Sequence, residues 1–147
     1  MYLEQFERVI RWYLKFKEIN DGISQKYHSN YYKDVVYAFF QNCYHLKDWV
    51  KNDEHVNKEL RNKAECFVNN STALKICGDI CNGSKHSKIT DGKEKIDKDT
   101  KISRTNHILV VGSTYSAKYK IISENNEYDA FDLATQCITE WKEFLGT

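Results

Sequence analysis

The apolar residues in the first half of the chain recur at intervals of three and four, which is the spacing of one buried helix face. This period predicts a first helix over 2–19, which the Asn-Asp-Gly turn at 20–22 would end. It predicts a second helix over 31–50 and a third over 54–68. The first half of the chain is therefore expected to consist of packed helices.

A fourth helix is expected to begin at Thr72, because Ser71 offers a side-chain oxygen that can cap a helix N-terminus. Gly83 leaves the end of this helix open. Residues 87–106 follow as a polar and charged stretch, and we expect them to form a flexible loop.

Beyond residue 107 the apolar pattern changes from helical to alternating. Residues 108–111 form a short apolar run, and 115–121 alternate between apolar and polar, so we expect them to pair as a β-hairpin. Asp129 is expected to cap a last helix. The apolar face of that helix is Ala134, Cys137, Ile138, Trp141 and Leu145.

Together these patterns predict an α+β fold that is mainly α. We expect one domain over 1–147, built as a four-to-five-helix bundle with a late inserted antiparallel β-hairpin. The absence of proline and the 14% aromatic content suit long helices around one core. The net charge of +1 provides no global field for nucleic acid, and no apolar stretch is long enough to span a membrane.

The chain contains five cysteines in apolar helical contexts, and we expect no signal peptide before them. We expect buried, reduced thiols in a cytoplasmic protein. Cys77 and Cys81 with His86 are a conceivable metal site, but their spacing along one helix does not match structural zinc sites. We therefore expect no metal and no cofactor.

Two polar stripes run beside the apolar ones and carry the side chains with catalytic or binding chemistry. The stripe on the second helix consists of Asn42, His45 and Trp49. The stripe on the fourth helix consists of Asp79, Asn82 and His86. The second stripe requires that the helix continue past Gly83. If the two helices pack together, the stripes would form a small polar cleft.

His86 is the leading catalytic candidate. An imidazole titrates near neutral pH and can move a proton, while the neighbouring Lys85 can neutralise a phosphate. Asp79 and Asn82 share its face. In the structural alternative, Asn82 and Gly83 end the helix, and Lys85 with His86 are solvated groups that complement the helix dipole.

His45 is the second candidate, and it would act as the partner acid of His86. With Asn42, Asp48 and Trp49 it borders the core stripe of the second helix, so its polar atoms should lie at a helix interface. In the structural alternative, His45 is a half-buried residue bonded to a backbone carbonyl, and Trp49 belongs to the core.

A helical bundle in which a late helix carries a polar residue, then a short gap, then Lys-His resembles the HEPN-domain proteins. The resemblance covers residues 1–90 and the closing helix, with the hairpin at 108–122 as a decoration. It implies a bacterial cytoplasmic protein, often a homodimer. The family includes metal-independent RNases of phage-defence and toxin–antitoxin systems. A hairpin followed by an Asp-capped helix is also common in small bacterial proteins, including those of mobile elements.

Within this resemblance, His86 matches the motif histidine and Asn82 the polar residue of the motif. The family's arginine has no counterpart, because residues 79–81 are Asp, Ile and Cys. Lys85 would have to supply the positive charge. Many members of the family bind without cleaving, and the missing arginine favours that reading here.

Two functions follow from these expectations. The first is a HEPN-like binding or interaction module whose polar stripes contact RNA or a partner protein. The alternative is a metal-independent RNase that uses His86 with Lys85, Asn82 and His45. A homodimer is expected in either case, and the surface of its interface would be lined by Tyr27, Tyr31 and Tyr44.

Overall fold

The computed structural model describes residues 1–85, 100–104, 109–111 and 114–147. Five helices and five strands lie within these ranges. The helices are α1 Tyr2–Asp21, α2 Ser29–Asn52, α3 Lys58–Asn70, α4 Thr72–Lys85 and α5 Ala130–Leu145. The strands are β1 Lys101–Arg104, β2 Leu109–Val111, β3 Thr114–Ser116, β4 Tyr119–Ser123 and β5 Asn126–Asp129. The predicted α+β class, mainly α, is confirmed.

The helix ends form where the sequence provides capping groups. Ser71 Oγ accepts a hydrogen bond at 3.0 Å from a backbone N–H in the first turn of α4. The Asp129 carboxylate accepts two such bonds, at 3.0 and 2.9 Å, from the first turn of α5. Both predicted caps are therefore confirmed. Gly22 ends α1 with φ at 123°, a backbone conformation that favours glycine.

Helix α3 begins at Lys58, four residues later than expected from 54. Asn57 is its N-cap, because the Asn57 Oδ1 atom accepts a hydrogen bond from the backbone N–H of Glu59 at 2.7 Å. Residues 53–57 instead connect α2 to α3. Among the described residues, no helix combines the length and apolar character needed to cross a bilayer.

Helix α2 is the centre of the bundle, because it packs against each of the other four helices. The apolar stripe of α2 is fully buried. That stripe consists of Tyr32, Val36, Phe39, Cys43, Leu46 and Val50. From α5, Trp141 enters the same core and packs edge-on against Phe67 of α3, with ring centroids 5.1 Å apart.

The β region is larger than the single hairpin expected from the alternating pattern. Strands β1, β4 and β5 form a three-stranded antiparallel sheet, while β2 pairs only with β3 in the part of the chain described. Strand β1 lies within the stretch 87–106 that we expected to be a loop. Most of the rest of that stretch lies outside the described residues.

The predicted strand over 115–121 is divided at Ala117 and Lys118. Tyr115 pairs with Ile23, just after α1, through backbone hydrogen bonds of 2.8 and 2.7 Å. The backbone N–H of Ala117 donates to Ile19 at 2.8 Å. These bonds hold β3 against the end of α1, and the chain then turns to place β4 in the other sheet.

Candidate functional site

The predicted stripe of Asn42, His45 and Trp49 is divided between two neighbouring helices. Asn42 faces α1, where Gln5 Nε2 donates to the Asn42 backbone oxygen at 2.8 Å and approaches its Oδ1 at 3.3 Å. Gln5 is itself 1% exposed and accepts a 2.6 Å hydrogen bond from Arg8. The Arg8 guanidinium lies 5.7 Å from the ring centre of Trp49. Asn42 and Trp49 therefore join α1 to α2.

His45 turns instead toward α4. Its Nε2 atom lies 3.5 Å from Sγ of Cys81, which is fully buried. Either group can donate in this contact, depending on the tautomer of the imidazole. The ring of His45 is half-buried, so the helix-interface position expected for it is observed. The Cys81 sulfur on α4 is thus one contact of the His45 ring.

Helix α4 continues past Gly83 and ends at Lys85. The second predicted stripe therefore has the helical backbone that it requires for Asp79 and Asn82. Asp79 is half-buried and Asn82 is exposed. His86, the leading catalytic candidate, lies outside the described residues, one position beyond the last residue of α4.

The close approach of α2 and α4 depends on Gly78. A Cβ atom at this position would lie 2.7 Å from Cε2 of Tyr44, far inside normal contact distance. Lys47 also contacts Tyr44, since its Nζ donates to the phenol oxygen at 3.4 Å and lies 4.7 Å from the ring centre. The Tyr44 ring thus lies directly against the backbone of α4, one turn before Asn82.

Asp48 and Trp49 line a surface cavity of about 460 Å³ that the sequence did not indicate. Its lining residues are Met1, Asp48, Trp49, Asn52, Asp53, Glu54 and His55. Asp53 has a structural role there. One carboxylate oxygen accepts from the Tyr2 N–H at 2.7 Å and the other from the His55 N–H at 3.0 Å. These bonds lower the pKa of Asp53 and tie the start of α1 to the α2–α3 connection.

Three cysteines form a buried cluster that sequence analysis missed. Cys43 from α2, Cys77 from α4 and Cys137 from α5 are fully buried, and their sulfur atoms lie within 4.8 Å of one another. Hydrogen bonding from Cys137, and then from Cys77, lowers the pKa of Cys43 to about 5. Burial, followed by hydrogen bonding within the cluster, raises the pKa of Cys77. Hydrogen bonding to Cys43 raises that of Cys137.

Cys77 and Cys81 therefore belong to different surroundings, contrary to the metal arrangement that we considered for them with His86. All five cysteines are free thiols. Four are buried, but Cys66 on α3 is exposed, so our expectation of burial is wrong for that residue. The sequence places a cysteine on the apolar face of each of α2, α4 and α5, but only the packing of the three helices brings Cys43, Cys77 and Cys137 together.

The aromatic residues expected to line a dimer surface do not form one patch. Tyr27 and Tyr31 stack at the start of α2, with ring centroids 4.3 Å apart. Tyr44 lies thirteen residues further along that helix, about 20 Å away along its axis, and covers Gly78. Tyr44 thus borders the polar end of α4, whereas the other two tyrosines lie elsewhere.

No family model, no curated protein and no solved structure matches this chain. The candidate site is therefore defined by the contacts described above. Its elements are the His45–Cys81 contact, the packing of Tyr44 on Gly78, and the exposed face of α4 at Asn82.

Proposed function

We propose that this chain is a HEPN-like interaction module that acts by binding and not by cleavage. The contact surface in this proposal is the polar end of α4, with Asp79, Asn82 and Lys85, next to Tyr44 of α2. The observation that carries it is the continuation of α4 past Gly83, which gives the Asp79–Asn82 stripe a helical face beside α2.

Two features support binding over catalysis. His45, the acid that an RNase mechanism would need, has its Nε2 atom 3.5 Å from the buried sulfur of Cys81. This contact gives Nε2 a packing role between α2 and α4, and a binding function does not require that atom to transfer a proton. In addition, residues 79–81 supply no arginine, and both Ile80 and Cys81 are buried.

The partner in this proposal is a second copy of the chain, so that the polar ends of two α4 helices meet across a two-fold axis. A two-fold interface brings each residue near its own symmetry mate or a neighbour of it. Exposed Asn82 and half-buried Tyr44 give such an interface a polar and an aromatic contact. We further propose a cytoplasmic role in a phage-defence or toxin–antitoxin system, which is what the HEPN resemblance implies.

Light scattering on the purified chain tests the dimer. We expect a dimer for the wild type and a monomer for Asn82→Arg, because two arginines would face each other across the axis. Asn62→Arg is the matched control, since Asn62 is an exposed asparagine on α3 and gains the same charge. A monomeric wild type, or dissociation by both variants alike, would contradict the proposed interface.

A cleavage assay separates the proposal from its alternative, a metal-independent RNase using His86 with Lys85, Asn82 and His45. Purified wild-type protein is incubated with RNA in EDTA, and we expect no cleavage. Cleavage that leaves a cyclic phosphate and falls about 10²–10⁴-fold in His86→Ala would establish the RNase instead. Cleavage that is equal in both proteins would point to a contaminating nuclease and leave the binding proposal in place.

A further inference from the structure

The cluster of Cys43, Cys77 and Cys137 joins three helices at one point of the core. Each cysteine comes from a different helix, and each is 0% exposed. Their sulfur atoms lie within 4.8 Å of one another, and within the described residues no histidine or carboxylate belongs to the group. Three soft ligand atoms are thus collected in a place that water does not reach.

The indole of Trp141 adds a second, independent feature. Trp141 is 0% exposed, and its Nε1 atom has no hydrogen-bond partner among the described residues. Cys43 is a neighbour of this indole in the core. A buried donor without a strong acceptor is unfavourable, and a metal-bound thiolate is a better acceptor than a neutral thiol.

Packing alone does not require this arrangement. A cysteine in a core acts as a small apolar side chain, and alanine or valine could fill the same space without bringing three sulfurs together. The Cys77 thiol also donates to the backbone oxygen of Phe40 at 3.0 Å, so that carbonyl holds its side chain in place. The cluster is therefore positioned by polar contacts as well as by volume.

We propose that Cys43, Cys77 and Cys137 bind one soft d¹⁰ cation in three-coordinate geometry, and that Cu(I) is the ion that fits best. Soft thiolate ligands select Cu(I), zinc and iron–sulfur centres. Structural zinc is almost always four-coordinate, and the group provides three ligand atoms. Cu(I) accepts three thiolates without a fourth ligand.

The distances are compatible with such an ion. A metal–sulfur bond of about 2.3 Å in a trigonal plane places neighbouring sulfurs about 4.0 Å apart. The three sulfurs, already within 4.8 Å of one another, need to close by less than about 1 Å. Loading would release thiol protons to solvent and form copper–sulfur bonds, with no electron transferred. This inference does not depend on the proposed function.

A copper titration tests the site in the full chain. The parent protein carries Cys66→Ser, which removes the exposed thiol, and is kept reduced. Cu(I) is supplied from a coloured chelator that competes with the protein. We expect one ion per chain, and a loss of affinity of more than about 100-fold in Cys137→Ala, since even indirect supporting residues cost 10–100-fold. Cys81→Ala, another buried cysteine outside the group, is the control and should bind as the parent does.

A second measurement keeps the proposal testable if Cys137→Ala does not fold. X-ray absorption of the copper-loaded parent should show three sulfur neighbours at about 2.3 Å. Trp141→Phe, which keeps an aromatic ring but removes the N–H, should weaken binding by about 10-fold. Failure to compete with the chelator, two-sulfur coordination, or equal binding by Cys137→Ala and its parent would overturn the assignment.

Discussion

Replacing Gly78 by alanine sets two effects of known sign against each other. In a helix interior, alanine is favoured over glycine by about 0.8–1.0 kcal/mol. At this position, however, the new methyl group would lie 2.7 Å from Cε2 and 3.1 Å from Cδ2 of Tyr44. Favourable carbon contacts lie at about 3.5–4.0 Å, so the ring or the helix must move by about 1 Å.

The clash should exceed the gain in helix propensity. Overpacking in a core costs about 1–3 kcal/mol, and Tyr44 cannot turn away freely because Lys47 holds its hydroxyl and covers its ring. Subtracting the propensity gain leaves Gly78→Ala about 1 kcal/mol less stable than wild type. For a chain of this length that corresponds to a fall in Tm of about 2–4 °C.

Urea unfolding followed by circular dichroism measures this free energy. Gly83→Ala is the matched control in the same helix, because nothing lies within 4 Å of a Cβ at that position. It should stabilise the chain slightly. In a Tyr44→Ala background the clash is gone, so Gly78→Ala should change sign and become stabilising. If Gly78→Ala stabilises the wild type as much as Gly83→Ala does, the close approach of α2 and α4 is wrong.

Two further predictions concern titration and thiol exposure. The hydrogen bond from the Tyr2 N–H, and then those from His55, lower the pKa of Asp53. The ionised carboxylate therefore stabilises the fold at pH values above the ordinary aspartate pKa near 4, and this stabilisation is lost as the pH falls below that value. In urea unfolding, Asp53→Asn should be less stable than wild type at pH 7, and the difference should shrink toward pH 2. A difference that stays constant with pH would exclude the Asp53 charge as the cause. Asp34→Asn, which removes an exposed carboxylate, is the control. A thiol reagent should react quickly with Cys66 alone in the native protein, and with all five cysteines after denaturation. A fast reaction that remains in Cys66→Ser, or a count of fewer than five thiols after denaturation, would contradict the assignment of four buried and one exposed free thiol.

The helical part of the fold was predictable because its signals are local. The apolar stripe on α2 repeats over about five turns, and Ser71 and Asp129 cap the helices that follow them. Strand β1 has no comparable signal, since it contains one apolar residue, Ile102, in a charged stretch. It becomes a strand by pairing with β4, where Ile102 lies opposite Ile121. Such a pairing is not encoded in any local period.

For the candidate site, the sequence predicts which residues share a helix face, but not which neighbouring helix each of them contacts. Asn42 and His45 are three residues apart, which places them about 60° from each other around the helix axis. That is close enough to form one stripe in the sequence, yet Asn42 contacts α1 and His45 contacts α4. Which neighbour covers each edge of a stripe depends on how the helices pack. The cysteine cluster could not be predicted for the same reason, because its three residues meet only when α2, α4 and α5 are packed together.

Helix α4 connects both proposals, because it carries Cys77 toward the core and Asn82 toward the surface. Gly78 lies between them, where α4 is pressed against Tyr44. A displacement of α4 by about 1 Å at that contact is comparable with the closure that the sulfurs need around a cation. Gly78→Ala should therefore weaken Cu(I) binding as well as stability, whereas Gly83→Ala, in open space on the same helix, should leave Cu(I) binding unchanged. Equal Cu(I) affinity in the two variants would mean that the Tyr44 ring moves instead of α4, and that Gly78 does not set the position of Cys77.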